Sequence, residues 1–125
     1  MIIPKGGSIE KEEPMMNRVV NESGVFQLKD LVPYGDRKVI YKNLIENNRA
    51  RFAVISLAAG AGLQEHPAPQ DALLFSLDGE AVFTYEGKNH VFKAGNHFSM
   101  KKGDRHHIEA TTNFKFALLL TEPEE

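Results

Sequence analysis

From about residue 25 onward, apolar residues fall into short runs separated by turn-forming residues, and within several runs they alternate with polar ones. Ala81, Phe83 and Tyr85 alternate with Glu80, Val82, Thr84 and Glu86, a two-residue period. Phe114, Phe116, Leu118 and Leu120 share one face of a later run in the same way. Val39–Ile45 is rich in β-formers, Glu46-Asn47-Asn48 turns the chain, and Arg51–Leu57 reads as the returning arm of a hairpin. Gly60 and Gly62 punctuate the next connection. Ala72–Leu77 ends at Asp78-Gly79, a strong turn signal. Glu86-Gly87, Ala94-Gly95 and Lys102-Gly103-Asp104 then set off His90–Lys93, His97–Lys101 and His106–Ala110. No stretch keeps a helical period; Ile9–Val20 comes nearest and is broken by Pro14. Short strands at spacings of about 8–12 residues predict an all-β sandwich or closed barrel, and closure removes exposed strand edges.

Residues 1–24 carry glycine, proline and charge and read as an irregular N-terminal arm. Glu10–Glu13 is a solvated run, and a short strand over Met15–Val20 could extend a sheet edge. Residues 25–121 form the barrel and residues 122–125 a tail. The chain has 125 residues, 42% of them hydrophobic, which suits one domain with one core. A net charge of -2 exerts no global pull toward nucleic acid or an anionic membrane, so neither is an expected partner. No stretch approaches the ~20 apolar residues of a membrane-spanning helix, and the opening residues are too short and broken for a signal peptide. The absence of cysteine rules out disulfides, thiolate metal sites and cysteine nucleophiles, and fits the expected cytoplasmic location. The sequence offers no glycine-rich phosphate loop, no serine elbow, and no paired strand carboxylates for glycosidase chemistry.

A family resemblance rests on two spaced motifs. Gly60, His66 and Gly79 stand at the spacings of the first cupin motif, and Gly95, Gly103 and His106 at those of the second. Ala68 and Ala72 occupy the first motif's second-histidine and glutamate positions, Lys101 replaces the second motif's proline, and Ala110 a common asparagine. Over roughly residues 25–121 the chain thus resembles a small single-domain cupin, a β-barrel also described as a jelly roll or double-stranded β-helix. The segment His66-Pro67-Ala68-Pro69-Gln70-Asp71-Ala72 is similar to a group of small bacterial cupins in which this reduced motif is normal and a second histidine stands where Gln70 does. Most members of that group have no assigned activity.

The resemblance implies that His66 and His106 face one another in the barrel's cavity. A typical cupin site holds a divalent metal with three imidazoles and a carboxylate, and this chain keeps two of the four. Gln70, through its amide oxygen, is the candidate third ligand, if residues 66, 68, 70 and 72 share one strand face across Pro67 and Pro69. A bound ion would be a transition metal such as Zn, Ni, Fe, Mn or Cu. The competing reading makes His66 and His106 polar residues of a wet cavity, bonded to water and backbone. Phe83, Phe98 and Met100, with Ala68 and Ala72, are the expected cavity lining, and Phe116 and Leu118 share their pattern. His90, His97, His107 and the Lys101-Lys102 turn read as solvated, and Asp71 as structural.

Three functions fit this pattern. One is a binder of a small molecule, with or without a loosely held metal. Another is a metal-dependent oxygenase, isomerase or decarboxylase acting on a small organic acid, sugar or aromatic. The last is a non-catalytic interaction protein with a relic cavity. The resemblance also implies a homodimer, supported by Phe75 and Leu77, which face away from the cavity and call for a cover.

Overall fold

The computed structural model describes residues 4–5, 8–11 and 24–122, with the backbone alone for 4–5, 8–11 and the path of His66. The strand suggested over Met15–Val20 lies outside the described residues. The described chain forms eleven strands: β1 (Pro4–Lys5), β2 (Ser8–Lys11), β3 (Lys38–Glu46), β4 (Ala50–Leu57), β5 (Gly62–Pro67), β6 (Asp71–Asp78), β7 (Glu80–Tyr85), β8 (Lys88–Lys93), β9 (His97–Met100), β10 (Arg105–Ala110) and β11 (Phe114–Thr121). A single 3₁₀ turn spans Leu28–Leu31.

The strands make two sheets, in the orders β1-β5-β10-β7-β8 and β2-β3-β4-β11-β6-β9. Every pairing is antiparallel except β2 with β3. Order within a sheet departs from order along the chain, so the strands wind between the sheets and close a flattened all-β barrel. This is the expected fold class. Residues 8–11 belong to it, since β2 pairs with β3; Glu10 and Lys11 are therefore strand residues, where a solvated run was expected.

The two-residue period decides what is buried. In β11, Phe114, Phe116 and Leu120 are buried inward, and they meet Ile55 and Leu57 of β4 and Leu74 of β6 in the main core. From the other sheet come Ala81, Phe83, Phe92, Ile108 and Ala110. The outer face of the second sheet has its own cover: Leu28, Leu31 and Val32 pack on Leu44, Phe52, Val54 and Leu77. Tyr34 fastens this segment by donating to Asp78 Oδ2 at 2.5 Å, and Ser56 Oγ donates to the Pro33 carbonyl at 2.7 Å. Leu77 is thus covered by its own chain, and Phe75 meets the His97 ring edge-on at 5.4 Å.

One glycine fixes where the site forms. A Cβ on Gly62 would lie 2.3 Å from the Ile108 carbonyl oxygen, so only glycine lets β5 approach β10 this closely. Beyond a register shift between His106 and Ile108, the same strand pair sets His66 opposite His106.

Candidate ligand-binding site

The cavity opens between the two sheets at one end of the barrel. In one wall, cross-strand register places Arg51 (β4), Leu120 (β11), Ala72 (β6) and Met100 (β9) in a single row. The next row inward in the same sheet brings Leu118 and Leu74, and Phe116 follows. In the facing wall, His106 stands at the mouth with Leu63, Ile108 and Phe83 beyond it. Ala68 and Pro69 complete the lining. The space open to the centre of a water-sized sphere is ≈ 40 Å³. On that measure one water needs about 10–15 Å³, so the cavity has room for about three such groups.

His106 is held in place on two sides. Its ring lies nearly parallel to Phe83, with centroids 6.0 Å apart and planes 17° apart. Its Nδ1 is 3.3 Å from the Asp104 carbonyl oxygen. If Nδ1 carries the proton it donates there, leaving Nε2 as the imidazole's lone-pair nitrogen. His66 is the register partner of His106 across β5–β10, so the two backbones are adjacent. Tyr85 is its register partner on the other side, across β7–β10.

Around this end runs a polar brace. Tyr85 donates to Asp104 Oδ2 at 2.5 Å, and the Lys101 amide donates to the same oxygen at 2.9 Å. The hydroxyl, chiefly, and the amide hold the Asp104 carboxyl below its ordinary value, and the charge of Lys101 adds to the effect. Asp104, through the same hydrogen bond, pushes the Tyr85 phenol above its ordinary value. Asp71 Oδ1 accepts from the Lys102 amide at 2.9 Å, so Asp71 is structural, and Lys101 and Lys102 are exposed.

Phe83, Met100, Ala68 and Ala72 are among the residues lining this pocket. Phe98 instead stacks on Phe83, 4.5 Å between centroids, and packs against the core from there. Gln70 is not among the residues lining this cavity, and its Nε2 donates to Glu122 Oε2 at 2.6 Å. The reason is local. β5 ends at Pro67 and β6 begins at Asp71. Between them the Ala68 amide donates to the Asp104 carbonyl and the Gly103 amide to the Ala68 carbonyl, both at 2.8 Å. This clamp turns Ala68 inward and ends the alternation that would have brought Gln70 after it. Of the remaining histidines, His97 is exposed, His90 is exposed with its ring 5.7 Å from Phe98, and His107 lies 3.8 Å from Glu65.

The sequence reading missed Arg51. In the sequence it is the first residue of the strand read over Arg51–Leu57, whose near-continuous apolar run hides which face Arg51 takes; its register with Leu120 places it in the wall. Leu63 carries no site signal in the sequence either, since Gly60 and Gly62 punctuate the chain just before it; it lies on β5.

Residues 53–122 match the profile of the Cupin domain family, more than half of the chain. This chain belongs to the cupin family. The cupin superposes on a conserved protein of unknown function from Streptococcus pyogenes with a TM-score of 0.78, at 24% identity, over 84% of this chain and 92% of that one. A cupin 2 conserved barrel domain protein from Leptotrichia buccalis is 34% identical with a TM-score of 0.74, over 78% of this cupin and 47% of that chain. The cupin therefore spans about half of that protein's length. A predicted oxalate decarboxylase from Thermotoga maritima is 29% identical with a TM-score of 0.64, over 68% of this cupin and 81% of that chain. No curated protein matches the cupin's sequence.

Many cupins carry a metal, so the donor set has to be weighed. Ala68 and Ala72 line the cavity where two ligands of the full motif would stand, and Gln70 is engaged with Glu122. Among the described residues no group of three histidine or carboxylate side chains is placed to hold an ion. His106 brings one imidazole and the His66 backbone lies beside it; even two imidazoles would fall short of the three protein ligands plus water typical of catalytic zinc sites. The residues present do not fit a tightly held resident metal. Among the described residues no helix is long and apolar enough to cross a membrane.

Proposed function

We propose that this cupin is a small-molecule-binding protein whose ligand enters the cavity between the sheets at the His106 end. One observation carries the reading. Between the sheets at this end lies a space lined by apolar groups, with Arg51 and His106 as its polar groups among the described residues. An apolar pocket with a few convergent polar groups is the usual form of a small-molecule site. His66, adjacent to His106 in register, would add a second imidazole at the mouth. Any divalent metal there would be exchangeable, for want of further ligands.

A metal-dependent enzyme is the second reading, favoured by the 29% identity to the predicted oxalate decarboxylase. Elemental analysis of untagged protein, before and after dialysis against chelator, separates the two. The binding reading expects metal well below one equivalent, and unchanged ligand affinity after chelation. One equivalent of a transition metal, retained through dialysis and lost in His106→Ala, would favour the enzyme instead.

A further inference from the structure

We infer that the ligand is a compact organic anion, a short monocarboxylate, with the Arg51 guanidinium as its counter-charge. This rests on the reading of the cavity as a binding site.

Arg51 lines the cavity, and its Nε is buried with no hydrogen-bond partner among the described residues. A guanidinium has donors and no acceptors and keeps its charge at every relevant pH. A buried N–H of such a group is costly unless an acceptor meets it. The neighbouring carboxylate does not do so: Glu46, the register partner of Arg51 across β3–β4, is exposed and accepts from Asn43 Nδ2 at 3.4 Å. The rest of the Arg51 row, Leu120, Ala72 and Met100, is apolar. What would satisfy this arginine is an acceptor brought by a ligand, and a carboxylate matches the guanidinium fork with two parallel bonds.

The geometry fixes orientation and size as well. Arg51 and His106 stand in the mouth-end rows of the two facing walls, while Leu74, Phe83 and Phe116 lie deeper. A carboxylate would therefore sit at the mouth with its hydrocarbon pointing inward. Room for about three water-sized groups limits that hydrocarbon to a short chain. The protein's net charge of -2 gives anions no general attraction, so selectivity for an acid rests on local cations, with Arg51 the one that lines the cavity among the described residues.

The test is calorimetric titration of the full chain with acetate, butyrate, hexanoate, benzoate, butyramide and butylamine, on wild type, Arg51→Gln and Arg51→Met. Butyrate is expected to bind at least about tenfold more tightly than butyramide, since only the acid offers a charged acceptor. Butylamine should not bind, and hexanoate should bind no better than butyrate. Arg51→Gln should lose that tenfold preference and keep the weak amide binding. Arg51→Met should raise the melting temperature of the ligand-free protein and lose the melting-temperature gain from butyrate. Equal binding of butyrate and butyramide, or unchanged butyrate affinity in Arg51→Gln, would overturn the anion and leave the binding cavity standing. A lowered ligand-free melting temperature in Arg51→Met would also overturn it, by showing the arginine to be a structural member of the fold. If no compound binds and small sugars do not either, the anion and the cavity reading fall together.

Discussion

The Tyr85–Asp104 pair is the residue-scale contact that ties the mouth of the cavity to the turn between β9 and β10. Its two pKa shifts give a pH signature with a definite sign. The Asp104 carboxyl sits below its ordinary 3.8 in the folded protein, chiefly through the Tyr85 hydroxyl. The stability it contributes is present above that value and is lost as pH falls through the lower folded value. The Tyr85 phenol sits above its ordinary 10.0, chiefly through the same bond. Its contribution is complete below that value and is lost as pH rises through the folded value. Melting temperature measured from pH 2 to 12 should therefore fall at both ends. Asp104→Asn should flatten the acid limb and Tyr85→Phe the alkaline limb, relative to wild type. Curves that run parallel to wild type at both ends would show that the pair makes no such contribution. Residue by residue, the site was only partly legible in the sequence. His106, Phe83, Met100, Ala68 and Ala72 stand on regular alternation or on motif spacing, and the cavity has them. Gln70 lies past a clamp of backbone bonds, invisible in side-chain types, that interrupts the strand between Pro67 and Asp71. Arg51 was passed over because a charged residue at a strand end is usually solvated, and only the far wall of the barrel reveals what it faces.

At the scale of the element, β5 is the strand on which the site depends. Its side chains gave little warning. Gln64 and Glu65 are exposed, Pro67 closes it, and Gly60 and Gly62 resemble a loop. Its pairing comes from its neighbour, since β10 runs beside it from Arg105–Pro67 to Glu109–Gly62. The other main strands were legible because their period is two residues over longer runs: β7 and β11 bury alternate residues much as their sequences do. β2 was illegible for the opposite reason, as a charged segment recruited by the exposed edge of β3. Gly62→Ala tests the role of β5. A methyl placed 2.3 Å from the Ile108 carbonyl must push β5 off β10, with an expected cost of at least about 2 kcal/mol. Ligand affinity should fall with it, because that pairing sets His66 beside His106. Urea denaturation measures the first effect and titration the second. A wild-type midpoint in Gly62→Ala would mean that the close approach does not hold in solution.

For the whole molecule, the fold class and the family were readable from strand spacing and from the glycine and histidine positions together, because barrel closure imposes both. The state of assembly was less so. One premise for a dimer is weakened, since Leu77 is covered by Leu28, Leu31 and Val32 of its own chain. Another support remains: Leu73, Phe75 and Leu119 lie half-buried on the outer face of the second sheet, beyond the cover given by that segment. We propose a homodimer through this face. Light scattering after gel filtration should give twice the chain mass of 14.0 kDa, and Leu119→Lys should return it to the single-chain value. A monomer at all concentrations would remove the dimer and leave the cavity untouched.

The central claim is that the hollow beside His106 takes up a small molecule, and filling the hollow tests it most directly. Ala72 lines it, so Ala72→Leu should occupy the space while the ligand-free protein melts near the wild-type temperature. In a thermal-shift panel of short acids, their amides, sugars and small aromatics, at least one compound at ten times its Kd should stabilise wild type by about 1.4 kcal/mol. The same compound should leave the melting temperature of Ala72→Leu unchanged. A panel to which wild type never responds, or a ligand that stabilises both proteins equally, would contradict the account.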